Sequence, residues 1–311
     1  MSTHSPIRIA IVGVGKIARD QHIPAILDSP DFELVALISQ SARDAEIPVF
    51  ASLDAAFAAG LTFDAVAICT PPGVRSHACR MASAHRCAIL LEKPPAATVA
   101  EARALKQLAE GAGVPIFASW HARFAPMISD AAAWCRAHAL RSGRIDWFED
   151  AGKWHPGQAW LWQPGGFGVF DPGINALSIL TALYPRVWQV SEPVLEIPAN
   201  VEMPLSAQLS LKGASAEVRV AFDFRPTAAE TWSIHLEADD GSTLDLTEGG
   251  VVLSVDGGAA QRGKNGEYAG LYRRFAELVR SGESDFDVSP LKLTEDAFAS
   301  ARIVGVEPIT I

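Results

Sequence analysis

At 311 residues the chain is longer than one hydrophobic core usually serves, so two domains flanking a small-molecule cleft are expected. With 49% hydrophobic and 20% charged residues it is no disordered chain, and a net charge of −10 excludes broad attraction to nucleic acid or anionic lipid. Cys69, Cys79, Cys87 and Cys135 lack paired or metal-ligand spacing, which predicts free buried thiols, a reducing cytoplasm and no metal site.

The opening apolar run, Ile7–Val12, is too short for a secretion signal, and no stretch reaches the ~20 apolar residues of a membrane span. The first third alternates apolar strands with helical segments, the pattern of a parallel sheet covered on both faces. Strands are predicted at Arg8–Val12, Phe32–Ile38, Ala65–Cys69, Ala88–Leu91 and Ile116–Ser119. Helices are predicted between them at Ala18–Ile26, Leu53–Ala59, Arg75–Ser83 and Val99–Glu110, the last capped by Thr98 with Glu101 three residues on.

The texture changes near residue 123, so the fold class expected is an α/β Rossmann domain over 1–122 and an α+β domain over 123–311. After a helix at Met127–His138, strands are predicted at Arg144–Phe148, Ala207–Leu211, Ala216–Phe224, Trp232–Ala238, Ser242–Leu246 and Val251–Val255. They suit an open, mainly antiparallel sheet, whose free face offers a surface for a homodimer. Helices near Tyr268–Arg280 and Thr294–Ile303 are expected to pack back on the body of the fold.

Gly13-Val14-Gly15-Lys16-Ile17-Ala18 follows the first strand and opens a helix. The first glycine permits a tight turn and the second lets a pyrophosphate reach the backbone, so Gly13, Gly15, Lys16 and Ile17 are assigned to a dinucleotide. After the second strand the chain reads Ser39-Gln40-Ser41, with no carboxylate to hold an adenosine ribose. Ser39, Gln40 and nearby Arg43 suit a ribose hydroxyl or a 2′-phosphate, leaving both NADP and NAD open. Two further strands end in Thr70-Pro71-Pro72 and in Glu92-Lys93-Pro94, where α/β sheets open onto their ligands. Thr70, Pro71, Pro72, His77, Glu92 and Lys93 therefore join the cofactor set.

The glycine loop, Glu92-Lys93-Pro94 and the later run Gly165-Gly166-Phe167-Gly168-Val169-Phe170-Asp171-Pro172-Gly173-Ile174-Asn175 occur in one order. In that order they resemble the Gfo/Idh/MocA oxidoreductases over nearly the whole chain. Gly15-Lys16-Ile17-Ala18-Arg19-Asp20-Gln21-His22 and Trp154-His155-Pro156-Gly157-Gln158 are most similar to the branch that oxidises L-arabinose or D-galactose at C1. The resemblance implies that Lys93 and Asp171 line the reacting centre, with Asn175 where many members carry histidine. An amide there cannot relay protons, so proton removal must fall elsewhere: Asp171 is the expected base, and a neutral Lys93 beside the cationic nicotinamide is the alternative. An alternative role for Asp171 is to cap the helix it opens.

By the same resemblance Trp154 and His155 contact sugar, the indole under an apolar pyranose face and the imidazole on a hydroxyl. Trp160 and Trp162 add to this aromatic cluster, and Trp120, His121, Glu149 and Trp232 are further substrate-binding candidates. The activity implied is NAD(P)-dependent oxidation of D-galactose, L-arabinose or D-fucose to the aldonolactone. An inositol-type secondary-alcohol dehydrogenase and a non-catalytic dinucleotide-binding sugar sensor are the alternatives.

Overall fold

The run Ile7–Val12 forms β1, an interior strand whose residues are almost all buried, as expected of a parallel sheet covered on both faces. The computed structural model describes residues 5–44, 46–226, 230–264 and 266–310. Contacts divide the chain into two units, Met1–His121 with Glu267–Val288, and Ala122–Gly266 with Ser289–Ile311.

In the first unit β2 (Phe32–Ile38), β3 (Val49–Phe50), β4 (Ala65–Ile68), β5 (Ala88–Glu92) and β6 (Ile116–Ser119) join β1 in the order β3-β2-β1-β4-β5-β6. Every pairing is parallel. Unbroken apolar runs such as Ala-Val-Ala-Ile in β4 follow from burial on both faces. The short β3 was not predicted. Thr98 caps helix Val99–Ala112 by accepting from the Glu101 N–H at 3.1 Å, and Gly113 ends that helix in the left-handed region.

The helix expected over Ala18–Ile26 is instead a π-helical turn, Ala18–His22, followed by α-helix Ile23–Leu27. Pro24 has no N–H for the Asp20 carbonyl, and ahead of it the Ile23 N–H reaches back five residues to Ala18. Helix Glu267–Ser281 also belongs to this unit, where Tyr272 and Phe275 pack on Phe32 at ring distances of 5.4 and 6.0 Å.

The second unit is built on β7 (Leu140–Phe148), β8 (Gln189–Pro198), β9 (Ser206–Lys212), β10 (Glu217–Asp223), β11 (Thr231–Ala238), β12 (Thr243–Thr247), β13 (Val252–Val255), β14 (Gln261–Arg262) and β15 (Arg302–Val306). Their order is β14-β13-β12-β11-β7-β10-β9-β8-β15, antiparallel except at β7/β10 and β8/β15. Val218, Val220 and Phe222 of β10 point inward while Glu217 and Arg219 face out, the alternation of a sheet with one covered face. Helix Phe170–Leu183 lies buried on that inner face, and Phe298 of helix Ser289–Ser300 packs 5.0 Å from Phe170.

Two expectations need correction. The helix placed at Thr294–Ile303 is Ser289–Ser300, and residues beyond it turn into β15, where β-branched Ile303, Val304 and Val306 suit an extended edge. Strand β8 was not predicted, since Pro193 and Pro198 and a register shift between Ser191 and Val194 break its pattern. Among the described residues no helix is long and apolar enough to cross a membrane. All four cysteines are free and buried.

Candidate active site

β1 ends against the turn that begins at Gly13, whose φ of 89° favours glycine and whose N–H donates to the Ile38 carbonyl. A Cβ on Gly13 would stand 2.7 Å from Thr70 Cγ2 and 2.8 Å from the Thr70 amide nitrogen. At Gly15 it would meet nothing within 4 Å. The loop is thus tied to β4 at its first glycine and open at its second, where a phosphate must come close to backbone. Beside it Thr70 Oγ1 is buried and has no hydrogen-bond partner among the described residues. An open cradle and an unsatisfied hydroxyl fit a dinucleotide, the group assigned to this loop.

Lys16 is exposed and ion-paired to Asp20, and Ile17 is half-buried at the start of the helical turn. Ser39 Oγ accepts from the N–H groups of Ser41 and Ala42, shaping the loop after β2, and Gln40 is exposed. Arg43, also exposed, donates to the neighbouring Ala42 carbonyl at 2.7 Å. Pro71 leads into a short turn opened by buried Pro72. His77 faces solvent and pairs with Asp54 at 2.8 Å, so in this structure its ring serves a contact between helices.

Lys93 lies half-buried after β5, joined to Pro94 by a cis peptide bond. Sequence reasoning missed what holds it. The buried Arg75 guanidinium donates to the carbonyls of Thr70, Glu92 and Pro94, clamping the ends of β4 and β5 together. Below, the buried Glu92 carboxylate accepts from Ser119 at 3.0 Å and from Tyr268 at 3.3 Å, and lies 3.2 Å from His22 Nε2. His22 Nδ1 meets the Tyr272 hydroxyl at 2.7 Å.

Burial disfavours charge on Glu92, yet the hydrogen bond and charge of His22, with His121 and Lys93, hold its carboxyl down at about 2. Burial also works against His22, but Cys69 and Tyr272 and the hydrogen bonds to Cys69 and Glu92 hold it well above the usual histidine range. His22 sits inside one of the motif strings, so its position was visible although its role was not. His121 stacks on Tyr268 at 5.3 Å and bonds Glu267 at 2.6 Å, whereas Trp120 is core, its N–H on the Asp287 carbonyl.

In the second unit the chain leaves β7 at Glu149 and folds back through a short helix, Ala151–Trp154, to His155. Glu149 Oε2 accepts from the Trp232 indole at 3.0 Å, and its Oε1 lies 2.9 Å from His155 Nε2. The other imidazole nitrogen, Nδ1, is 3.8 Å from Asp171 Oδ2. Glu149 and Asp171 are both buried, and the His155 ring leans on Phe224 at 5.3 Å. Trp154 is exposed, 5.7 Å from the Trp232 ring, with its N–H on Glu230 at 2.7 Å. Trp162 packs on Phe224 as core and Trp160 is half-buried.

Asp171 is the second residue of helix Phe170–Leu183, and Val169, not Asp171, is the capping residue. That removes the capping alternative and leaves the carboxylate on the face it shares with Asn175, one turn on. The helix sits close to the sheet because residue 173 is glycine: a Cβ there would fall 2.5 Å from the Phe222 ring. Asn175 Oδ1 is buried without a hydrogen-bond partner among the described residues. The unit therefore brings together Glu149, His155, Asp171 and Trp232, a carboxylate–imidazole–carboxylate series edged by indole.

Residues 7–119 match the oxidoreductase family with an NAD-binding Rossmann fold. The chain is 44% identical to a galactose 1-dehydrogenase from Pseudomonas fluorescens over 303 residues, 97% of this chain and 98% of the relative. The crystal structure of a D-galactose-1-dehydrogenase protein from Rhizobium etli superposes with a TM-score of 0.94 at 41% identity, covering 100% of both chains. A 3-ketoreductase from Actinomadura kijaniata, solved with NADP and TDP-benzene, gives a TM-score of 0.82 at 17% identity over 97% of this chain and 100% of that one, a likeness of fold alone.

Proposed function

The chain belongs to the Gfo/Idh/MocA family of oxidoreductases, and on that premise we propose that it oxidises the anomeric hydroxyl of an aldopyranose to the aldonolactone. D-Galactose is the first substrate, with L-arabinose and D-fucose alongside, and NADP or NAD is the acceptor. The observation that carries this reading is the end-to-end match to a galactose 1-dehydrogenase. The buried Asp171 carboxylate beside His155 supports it with a group able to take a hydroxyl proton.

The dinucleotide, when bound at Gly13, Gly15 and the ends of β2, β4 and β5, supplies the acceptor for the C1 hydrogen and its electron pair. Everything else falls to side chains. Asp171 removes the anomeric hydroxyl proton, Lys93 meets the negative charge developing on that oxygen, and Asn175 orients a neighbouring hydroxyl. Trp154 and Trp232 offer indole surface to the pyranose, and His121, Glu149 and His155 complete the polar lining. A homodimer through the open face of the nine-stranded sheet, in the cytoplasm, belongs to the same reading.

The test is absorbance in the reduced-nicotinamide band with NAD or NADP and D-galactose, L-arabinose, D-fucose, D-glucose and myo-inositol. Turnover of the first three upholds the reading. Turnover of inositol alone, or dinucleotide binding with no turnover of any sugar, overturns it.

A further inference from the structure

His155 has one nitrogen fully engaged and one with no hydrogen-bond partner among the described residues, and the second faces Asp171. An indole N–H only donates, so the Glu149 oxygen it meets is an acceptor. The second Glu149 oxygen lies 2.9 Å from His155 Nε2 and is placed to accept a proton from it. The tautomer that matches this contact carries hydrogen on Nε2 and a lone pair on Nδ1, the nitrogen with no hydrogen-bond partner among the described residues. Nδ1 thus points its lone pair at Asp171 Oδ2 across 3.8 Å, too long for a hydrogen bond, with each atom an acceptor. A proton arriving on either atom gives the pair a donor.

We infer that Glu149 and His155 form a proton relay behind Asp171, in which His155 Nδ1 receives the proton that Asp171 takes from the substrate hydroxyl. The inference rests on the sugar-oxidising reading above. In the first transfer the substrate O–H bond breaks and an O–H bond forms on Asp171. In the second the Asp171 O–H bond breaks and an N–H bond forms on His155 Nδ1, returning the carboxylate. The imidazolium, still bonded to Glu149 through Nε2, then yields one proton toward solvent, and the neutral ring is restored. Among the described residues of this unit the titratable groups facing His155 are Glu149 and Asp171; Phe224 covers the ring with apolar surface and Trp232 contributes its N–H. Asn175, one turn beyond Asp171, has no site for a proton in transit.

Besides lining the sugar, His155 and Glu149 act on the proton through Asp171, so the test needs readouts that a structural or sugar-contacting role leaves unmoved. We would measure kcat, KM and the solvent deuterium isotope effect with D-galactose and the preferred dinucleotide, for the wild type, Glu149→Gln, His155→Gln and His155→Ala with and without added imidazole. Glu149→Gln keeps the shape but presents an amide that can donate to Nε2, reversing the tautomer. The relay predicts a fall in kcat of about 100-fold or more for His155→Gln and a smaller fall for Glu149→Gln, each larger than the accompanying change in KM. It also predicts a changed solvent isotope effect and recovery of His155→Ala by imidazole.

If the variants raise KM while kcat and the isotope effect stay at wild-type values, or if imidazole restores nothing, the relay is overturned and sugar oxidation stands. A wild-type protein that turns over no aldose with either dinucleotide overturns both.

Discussion

His22 Nε2 lies 3.2 Å from Glu92 Oε2, with both side chains sealed from solvent beneath the strand end that carries Lys93. Removing one member leaves the other charge buried and unpaired, so His22→Leu should cost about 3–5 kcal/mol of stability. The pH dependence has two limbs. Glu92 titrates at about 2 when folded against an ordinary value of 4.5, so its contribution is complete above 4.5 and is lost as pH falls toward 2. His22 is raised above 6.5, so its contribution is complete below 6.5 and is lost as pH rises through its folded value. The gap in melting temperature between the wild type and the His22→Gln/Glu92→Gln double variant should therefore be widest between pH 4.5 and 6.5. A gap that does not change with pH would show that the pair is uncharged.

The two glycines of the loop separate folding from binding. Gly13→Ala forces a Cβ against Thr70 at a positive φ, so it should lower the melting temperature and abolish dinucleotide binding together. Gly15→Ala meets no protein atom, so stability should stay within about 0.5 kcal/mol while dinucleotide affinity drops at least tenfold. Thermal melts beside titration of protein fluorescence with NAD and NADP check both, and unchanged affinity in Gly15→Ala would remove the phosphate from this loop.

Much of this arrangement was legible because its signals are local. The strand–Gly13–Gly15–helix succession, the capped helix after Thr98 and the inward–outward alternation of β10 are each set by one short continuous stretch of chain. What sequence could not give is contact between distant residues. Arg75 reads as one charge at the head of an amphipathic helix, yet its partners are carbonyls up to 19 residues away. His22 reaches Glu92 and Tyr272, 70 and 250 residues along the chain. Glu149, His155 and Trp232 were named one by one, but only the fold sets the indole and the imidazole on opposite oxygens of one carboxylate. Strands β3 and β14, with two residues each, carry too little pattern to be read at all.

Cofactor choice should turn on the segment after β2. With no carboxylate in Ser39-Gln40-Ser41, a 2′-phosphate bound here would meet Ser39, exposed Gln40 and exposed Arg43. Ser39→Asp should reduce kcat/KM for NADP relative to NAD by about 10- to 100-fold, from like-charge repulsion and loss of the hydroxyl. Arg43→Ala should reduce use of NADP and leave NAD nearly unchanged. Initial rates with both dinucleotides decide it, and equal losses for the two would show that this loop does not read the phosphate.

The roles of Lys93 and Asp171 separate in the chemical step. Asp171→Asn keeps the size and the hydrogen-bonding edge but cannot accept a proton, so it should lower kcat by about 10²–10⁴-fold with a small change in KM. Lys93→Ala removes the positive charge proposed to meet the oxygen as it becomes negative, and should lower kcat by a comparable factor. With galactose deuterated at C1, both variants should show a full primary isotope effect, since slowing the chemistry makes it limiting. If Asp171→Asn retained wild-type kcat while Lys93→Ala lost the hydride step, the base would be the lysine, and Asp171 would be left to orient the sugar.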